Sequence, residues 1–99
     1  MSDSIEASHI LCSTDNSSLA EAMEQINTIV EEIKGGAEFS DMARQHSTCP
    51  SSSHGGSLGS FGRGMMVPAF EEAAFALDAG EVSGPVETNF GVHLIYRTA

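Results

Sequence analysis

With 99 residues, 40% of them hydrophobic, the chain can bury one modest core without disulfide or metal staples, which excludes disorder throughout. Fourteen acidic residues against four basic ones give a formal charge of −10, a balance that repels phosphate backbones and anionic lipid. Nucleic-acid and membrane binding are therefore set aside, and the acidity is expected to lie mostly on one solvated helix face.

Ile5 to Cys12, IEASHILC, is a short apolar and β-branched run followed by the turn-forming STDNSS, which predicts a strand and its exit loop. Strand parity sends His9 and Leu11 to one face and Ile10 and Cys12 to the other. Ser18 with Glu21 forms a capping-box pattern, and Leu19, Ala22, Met23, Ile26, Ile29, Val30 and Ile33 trace one helical face, ended by Lys34 and Gly35-Gly36. A shorter helix is predicted from about Glu38 to His46, with Phe39, Met42 and Ala43 packing beside the first. After a glycine-rich stretch with a short strand near Leu58 to Phe61, Pro68 opens a third helix. It carries Phe70, Ala73, Ala74 and Leu77 on one face and is expected to stop at Gly80. Pro85 to Thr88 and Val92 to Tyr96 then form two strands around an Asn89-Phe90-Gly91 turn.

The order lacks regular βαβ alternation, so the expected fold class is α+β, with a mainly antiparallel sheet of about four strands covered by helices. Residues 1–99 read as one domain, with no repeat, linker or low-complexity tail. No signal peptide, transit peptide or long apolar run is evident, so a cytoplasmic setting with free thiols at Cys12 and Cys49 is the simplest expectation.

The segment HSTCPSSSHGGSLGSFGRG, residues 46–64, concentrates Cys, His, Ser and Gly. A phosphate loop would need GxxxxGK followed by Ser or Thr, yet no Lys follows Lys34; a dinucleotide GxGxxG fails because Val67 stands at the third position after Gly62 and Gly64. His46, Cys49 and His54 lack the compact pairing of zinc ligands, and Gly56-Ser57-Leu58-Gly59 misses the spacing of a serine nucleophile elbow. Cys49 with a histidine could form a thiolate nucleophile, but spacing alone equally describes an inert thiol and strand histidines satisfied within the sheet.

Taken in order, SHIL (8–11), GGAEFSDMARQHSTCPSS, GGSLGSFGRGMMVPAFEEAAFAL, GEVSGPVETNFGVH and FGVHLIYR (90–97) resemble the parvulin family of peptidyl-prolyl cis/trans isomerases over nearly the whole chain. The resemblance implies a β-α-α-(short helix)-β-α-β-β fold around a proline-binding cleft, no cofactor and no metal, and proline-containing polypeptides as substrates of a monomeric enzyme. It places Leu58, Met66 and Phe70 around the proline ring. It also places Cys49 at the active-site cysteine position, His9 and His93 in a dual-histidine motif, and Thr88 as their hydrogen-bonding neighbour. On this reading Cys49 and the histidines form a network tuning the cleft, since bond rotation needs no covalent intermediate.

Three departures bear on substrate choice. Phosphate-directed parvulins carry a basic cluster after the first strand, where this chain has Ser13-Thr14-Asp15-Asn16. Thr48 stands where several relatives have an acid, and Phe90 replaces a small residue, adding an apolar contact as in small stand-alone microbial parvulins. The resemblance thus implies an isomerase that is not phospho-specific and assists protein folding; the alternative is a parvulin-fold module that binds Pro segments with little catalysis.

Overall fold

The computed structural model describes residues 4–14, 18–48 and 50–99. Its elements are β1 (Ser4–Ser13), α1 (Leu19–Lys34), α2 (Phe39–His46), a short 3-10 helix (Pro50–His54), β2 (Ser57–Gly62), α3 (Pro68–Ala76), β3 (Val86–Thr88) and β4 (Gly91–Arg97). The four strands form one antiparallel sheet in the order β2-β1-β4-β3.

Strand parity divides the interior into two cores. Ile10, Cys12, Val92 and Leu94 face α1 and α2, where they meet Ala22, Ile26, Ile29, Phe39, Met42 and Ala43. Ile5, Ala7 and Ile95 face the other way and pack with Phe61 of β2 and Phe70 and Ala74 of α3. Both sheet faces are therefore covered, which is why β1 carries apolar side chains at odd and even positions alike.

At the start of α1, the Ser18 hydroxyl accepts from Glu21 N–H at 3.2 Å and the Glu21 carboxylate accepts from Ser18 N–H at 3.3 Å, the reciprocal box expected from sequence. Glu21, Glu24, Glu31 and Glu32 all lie on its solvent side. Leu19, counted with the apolar stripe in the sequence reading, is exposed because it opens the first turn before the helix reaches the core. The second helix does share a core with α1 but packs more closely on β1 and the 3-10 helix than on α1.

The third helix ends at Ala76, short of the Gly80 stop expected from sequence. The Arg97 guanidinium donates to the Leu77 carbonyl at 2.6 Å, and Gly80 N–H donates to the Arg97 carbonyl at 2.6 Å. These bonds draw the chain away from the helix axis and lay residues 80–83 along the end of β4, where Val82 bridges Tyr96. A contact distant in sequence thus ends the helix before its local stop signal.

Glycine is required at two close approaches. Gly56 has φ +83°, and a Cβ there would lie 2.3 Å from the His9 carbonyl oxygen; Gly91 has φ +143°, and its Cβ would lie 2.2 Å from the Cys12 carbonyl oxygen. The first clamps the 3-10 segment onto β1, and the second lets the β3–β4 turn close against it.

Candidate active site

The outer edge of β1 explains how the site is assembled. Residues Ser4 to Ser8 pair with β2, with an irregularity between Glu6 and Ser8. Beyond it, His9 N–H donates to the Gly56 carbonyl at 2.9 Å, Leu11 N–H donates to the Ser47 hydroxyl at 3.0 Å, and the Leu11 carbonyl accepts from Thr48 N–H at 2.8 Å. Loop backbone and the Ser47 hydroxyl therefore replace β2 beside His9 and Leu11, which satisfies the strand edge and opens a cleft on the α3 side of the sheet.

On the inner edge, His9 is paired with Ile95 and Leu11 with His93, so the two histidines are diagonal neighbours on one face. Their Nδ1 atoms lie 3.1 Å apart and their rings stack at 5.2 Å between centroids with an interplanar angle of 21°. His93 Nε2 is 2.7 Å from the Thr88 hydroxyl, which also accepts from Phe90 N–H at 3.2 Å. Phe70 meets both imidazoles nearly at right angles, with centroids 5.5 Å from His9 and 5.2 Å from His93.

This geometry dictates protonation. His9 and His93 are only 5% and 4% exposed. Burial lowers both pKa values from 6.5 to about 4, with the mutual repulsion of the two rings adding to the effect at His93. An Nδ1–Nδ1 hydrogen bond needs one N–H and one lone pair, so two imidazolium rings could not share it. The neutral pair admits two proton arrangements, with Thr88 either donating to His93 Nε2 or accepting from it. In both, His9 Nε2 remains the one described buried side-chain nitrogen or oxygen without a partner.

The histidines line a cleft of about 400 Å³ together with the apolar side chains of Leu11, Leu58, Met66, Val67, Phe70 and Phe90 and with Ser13 and Thr48. Phe90, although part of this lining, is 57% exposed. A wider depression of about 690 Å³ opens beyond Ser13 and Thr48, but Glu21, Glu24, Gln25 and His46 wall it, an environment unsuited to a proline ring. Among the described residues, no Lys, Arg, Asp or Glu lines the 400 Å³ cleft. Among the described residues, no group of three His, Cys, Asp or Glu side chains is placed to hold a metal ion.

The residues singled out from sequence thus converge: His9, Thr88 and His93 form one hydrogen-bonded chain, and Leu58, Met66, Phe70 and Phe90 line the space above it. Cys49 lies outside the described residues. Neighbouring Thr48 is pinned to β1 by its N–H and by its hydroxyl, which donates to the Leu11 carbonyl at 3.1 Å. The sequence reading missed Leu11, Val67 and Gly56. Parity with His9 could have flagged Leu11, but only the fold reveals that Gly56 holds the His9 backbone.

Residues 9–99 match the family model described as Rotamase: PPIC-type PPIASE domain. The chain is similar to peptidyl-prolyl cis-trans isomerase Pin1 of Arabidopsis thaliana, 51% identical over 79 residues that span 79% of this chain and 66% of that protein. The solution structure of NmPin, the parvulin of Nitrosopumilus maritimus, superposes with a TM-score of 0.81 at 41% identity, covering 100% of this chain and 99% of the other. The crystal structure of PrsA from Bacillus subtilis gives a TM-score of 0.88 at 39% identity over 98% of this chain. The chain spans about two thirds of the plant relative's length, and the match covers 35% of PrsA. With a family model matching from His9 to the last residue and a four-stranded antiparallel sheet shared with these structures, the chain belongs to the PPIC-type, or parvulin, family of peptidyl-prolyl cis-trans isomerases.

Proposed function

We propose that residues 1–99 form one catalytic domain that rotates Xaa-Pro bonds in unphosphorylated client polypeptides, acting as a monomer without cofactor or metal. The observation that carries this reading is the described lining of the cleft: apolar side chains beside two neutral imidazoles and no charged group. The barrier to rotation, about 18–20 kcal/mol, comes from resonance that places negative charge on the carbonyl oxygen and positive charge on nitrogen. A cation beside that oxygen would deepen the planar well. An apolar wall withholds this stabilisation and favours the twisted, less conjugated amide.

In this assignment Leu58, Met66 and Phe70 grip the proline ring, and Phe90 contacts the chain entering the cleft. The Thr88–His93–His9 network fixes the floor, and Phe70 packs edge-on against both rings, coupling proline binding to the network. Cys49 joins the same network by its position in the family motif, as a polar member rather than a nucleophile.

Independence from phosphate rests on the basic residues. Arg44 pairs with Asp41, Arg63 with Glu71, Arg97 holds Leu77 and Ala99, and Lys34 ends α1; none lines the cleft. With a formal charge of −10, the molecule repels a phosphorylated segment. PrsA is named a foldase; by analogy, this chain's clients are polypeptides waiting on proline isomerisation during folding. A cytoplasmic setting fits the free, buried thiol of Cys12. No helix among the described residues is long and apolar enough to cross a membrane.

The test is cis/trans exchange measured by NMR on Ala-Xaa-Pro-Phe peptides with substoichiometric protein. Exchange should accelerate in proportion to protein and should not improve when Xaa is phosphoserine. Peptide binding without faster exchange would make the chain a Pro-segment binding module, and a phosphoserine preference would overturn the substrate assignment.

A further inference from the structure

The turn between β2 and α3 carries Met66 and Val67 to the wall of the cleft, yet it has little regular structure of its own. It is tied down from behind. Gly64, at φ +87°, turns its N–H toward α3, where the Glu71 carboxylate accepts it. The other oxygen of that carboxylate lies 3.8 Å from the Arg63 guanidinium. Arg63 in turn covers the ring of Phe75 at 4.4 Å, while Met65 folds back so that its sulfur accepts from Gly62 N–H at 3.2 Å. The Glu71 side chain is only 18% exposed, whereas the acidic residues of α1 stand in solvent.

We propose that Glu71 is a positioning residue for the proline pocket: by accepting the Gly64 N–H it fixes the β2–α3 turn and thereby Met66, which lines the cleft together with Phe70. This inference rests on the assignment of Met66 and Phe70 to the proline ring. Glu71 follows Phe70 directly on α3, so one helix turn carries both a ring that lines the pocket and the carboxylate that holds the turn bearing Met66. The hydrogen bond, rather than the ion pair, does the positioning, because the Arg63 side chain is mostly exposed and such pairs contribute little. The bond to Gly64 is charge-assisted and fixes backbone.

Three variants and two readouts test this: Glu71→Ala, Glu71→Gln and Arg63→Gln, followed by peptide titration with saturating exchange kinetics and by the Met66 methyl NMR resonance. Glu71→Ala should weaken peptide binding about tenfold, as loss of one charge-assisted hydrogen bond implies, with turnover of bound peptide nearly unchanged and the Met66 methyl shifted. Glu71→Gln keeps an acceptor oxygen and should restore affinity and shift, and Arg63→Gln should leave both near wild type. Glu71→Ala that lowers the melting temperature while folded protein keeps wild-type affinity and Met66 shift would reduce Glu71 to a structural contact and overturn the inference. Equal loss in Arg63→Gln would overturn the hydrogen-bond assignment. If wild-type protein binds peptide without perturbing Met66 or Phe70, the pocket assignment itself fails, a result distinct from either.

Discussion

Acid should unfold this protein through its histidine pair before it titrates most carboxylates. A ring whose pKa falls from 6.5 to about 4 on folding takes up its proton preferentially in the unfolded chain. Stability is therefore full above pH 6.5 and is lost as pH falls from 6.5 toward 4. At pH 5 the linkage amounts to about 2 kcal/mol for each ring. Because His9 and His93 share one hydrogen bond, the pair together should cost about 2–4 kcal/mol, a large part of the stability of a small domain. The comparison is urea unfolding at pH 7.5 and pH 5.0 for wild type and for a His9→Leu, His93→Leu double variant. Contributions from Asp and Glu cancel between the two proteins, so wild type should lose about 2–4 kcal/mol more than the variant. NMR titration should find both rings still neutral at pH 5.5. Equal pH slopes in the two proteins, or either ring titrating near its ordinary value, would refute the burial argument and with it the neutral floor of the cleft.

Two further outcomes follow from individual contacts. Gly56→Ala places a Cβ 2.3 Å from the His9 carbonyl at a positive φ, so it should destabilise the fold by several kcal/mol. Gly59→Ala, also at positive φ but with open space around it, should cost only about 1 kcal/mol, and similar melting temperatures for the two would contradict the close approach. Thr88→Val removes the partner of His93 Nε2 and of Phe90 N–H at nearly constant volume, at a cost of about 1–3 kcal/mol. Isomerisation should slow in Thr88→Val and recover in Thr88→Ser; full activity in the valine variant would separate the hydroxyl from catalysis.

Local chemistry was legible wherever neighbours in sequence are neighbours in space. The Ser18–Glu21 box, the Pro68 helix start, the parity of β1 and the β3–β4 turn all depend on contacts spanning a few residues, and each appears where the pattern puts it. The candidate site was legible in a different way. Spacing alone left His9 and His93 as ordinary strand histidines, and only the ordered motifs of the family marked them, together with Thr88, Leu58, Met66, Phe70 and Phe90. Leu19 illustrates the limit of periodicity: it sits on the apolar stripe, yet it projects from the first turn before the helix meets the sheet.

The sequence by itself determined which elements form, which face of each is apolar, and that the loop after the first strand, Ser13-Thr14-Asp15-Asn16, carries no basic residue. The tertiary structure alone decided the register that sets His9 diagonal to His93 across 84 residues, the T-shaped seat of Phe70 over both rings, and the end of α3 at Ala76. The physical reason is common to all three. Hydrogen bonds and ring contacts between distant segments form only after the sheet has paired, and no local propensity encodes their partners or their angles.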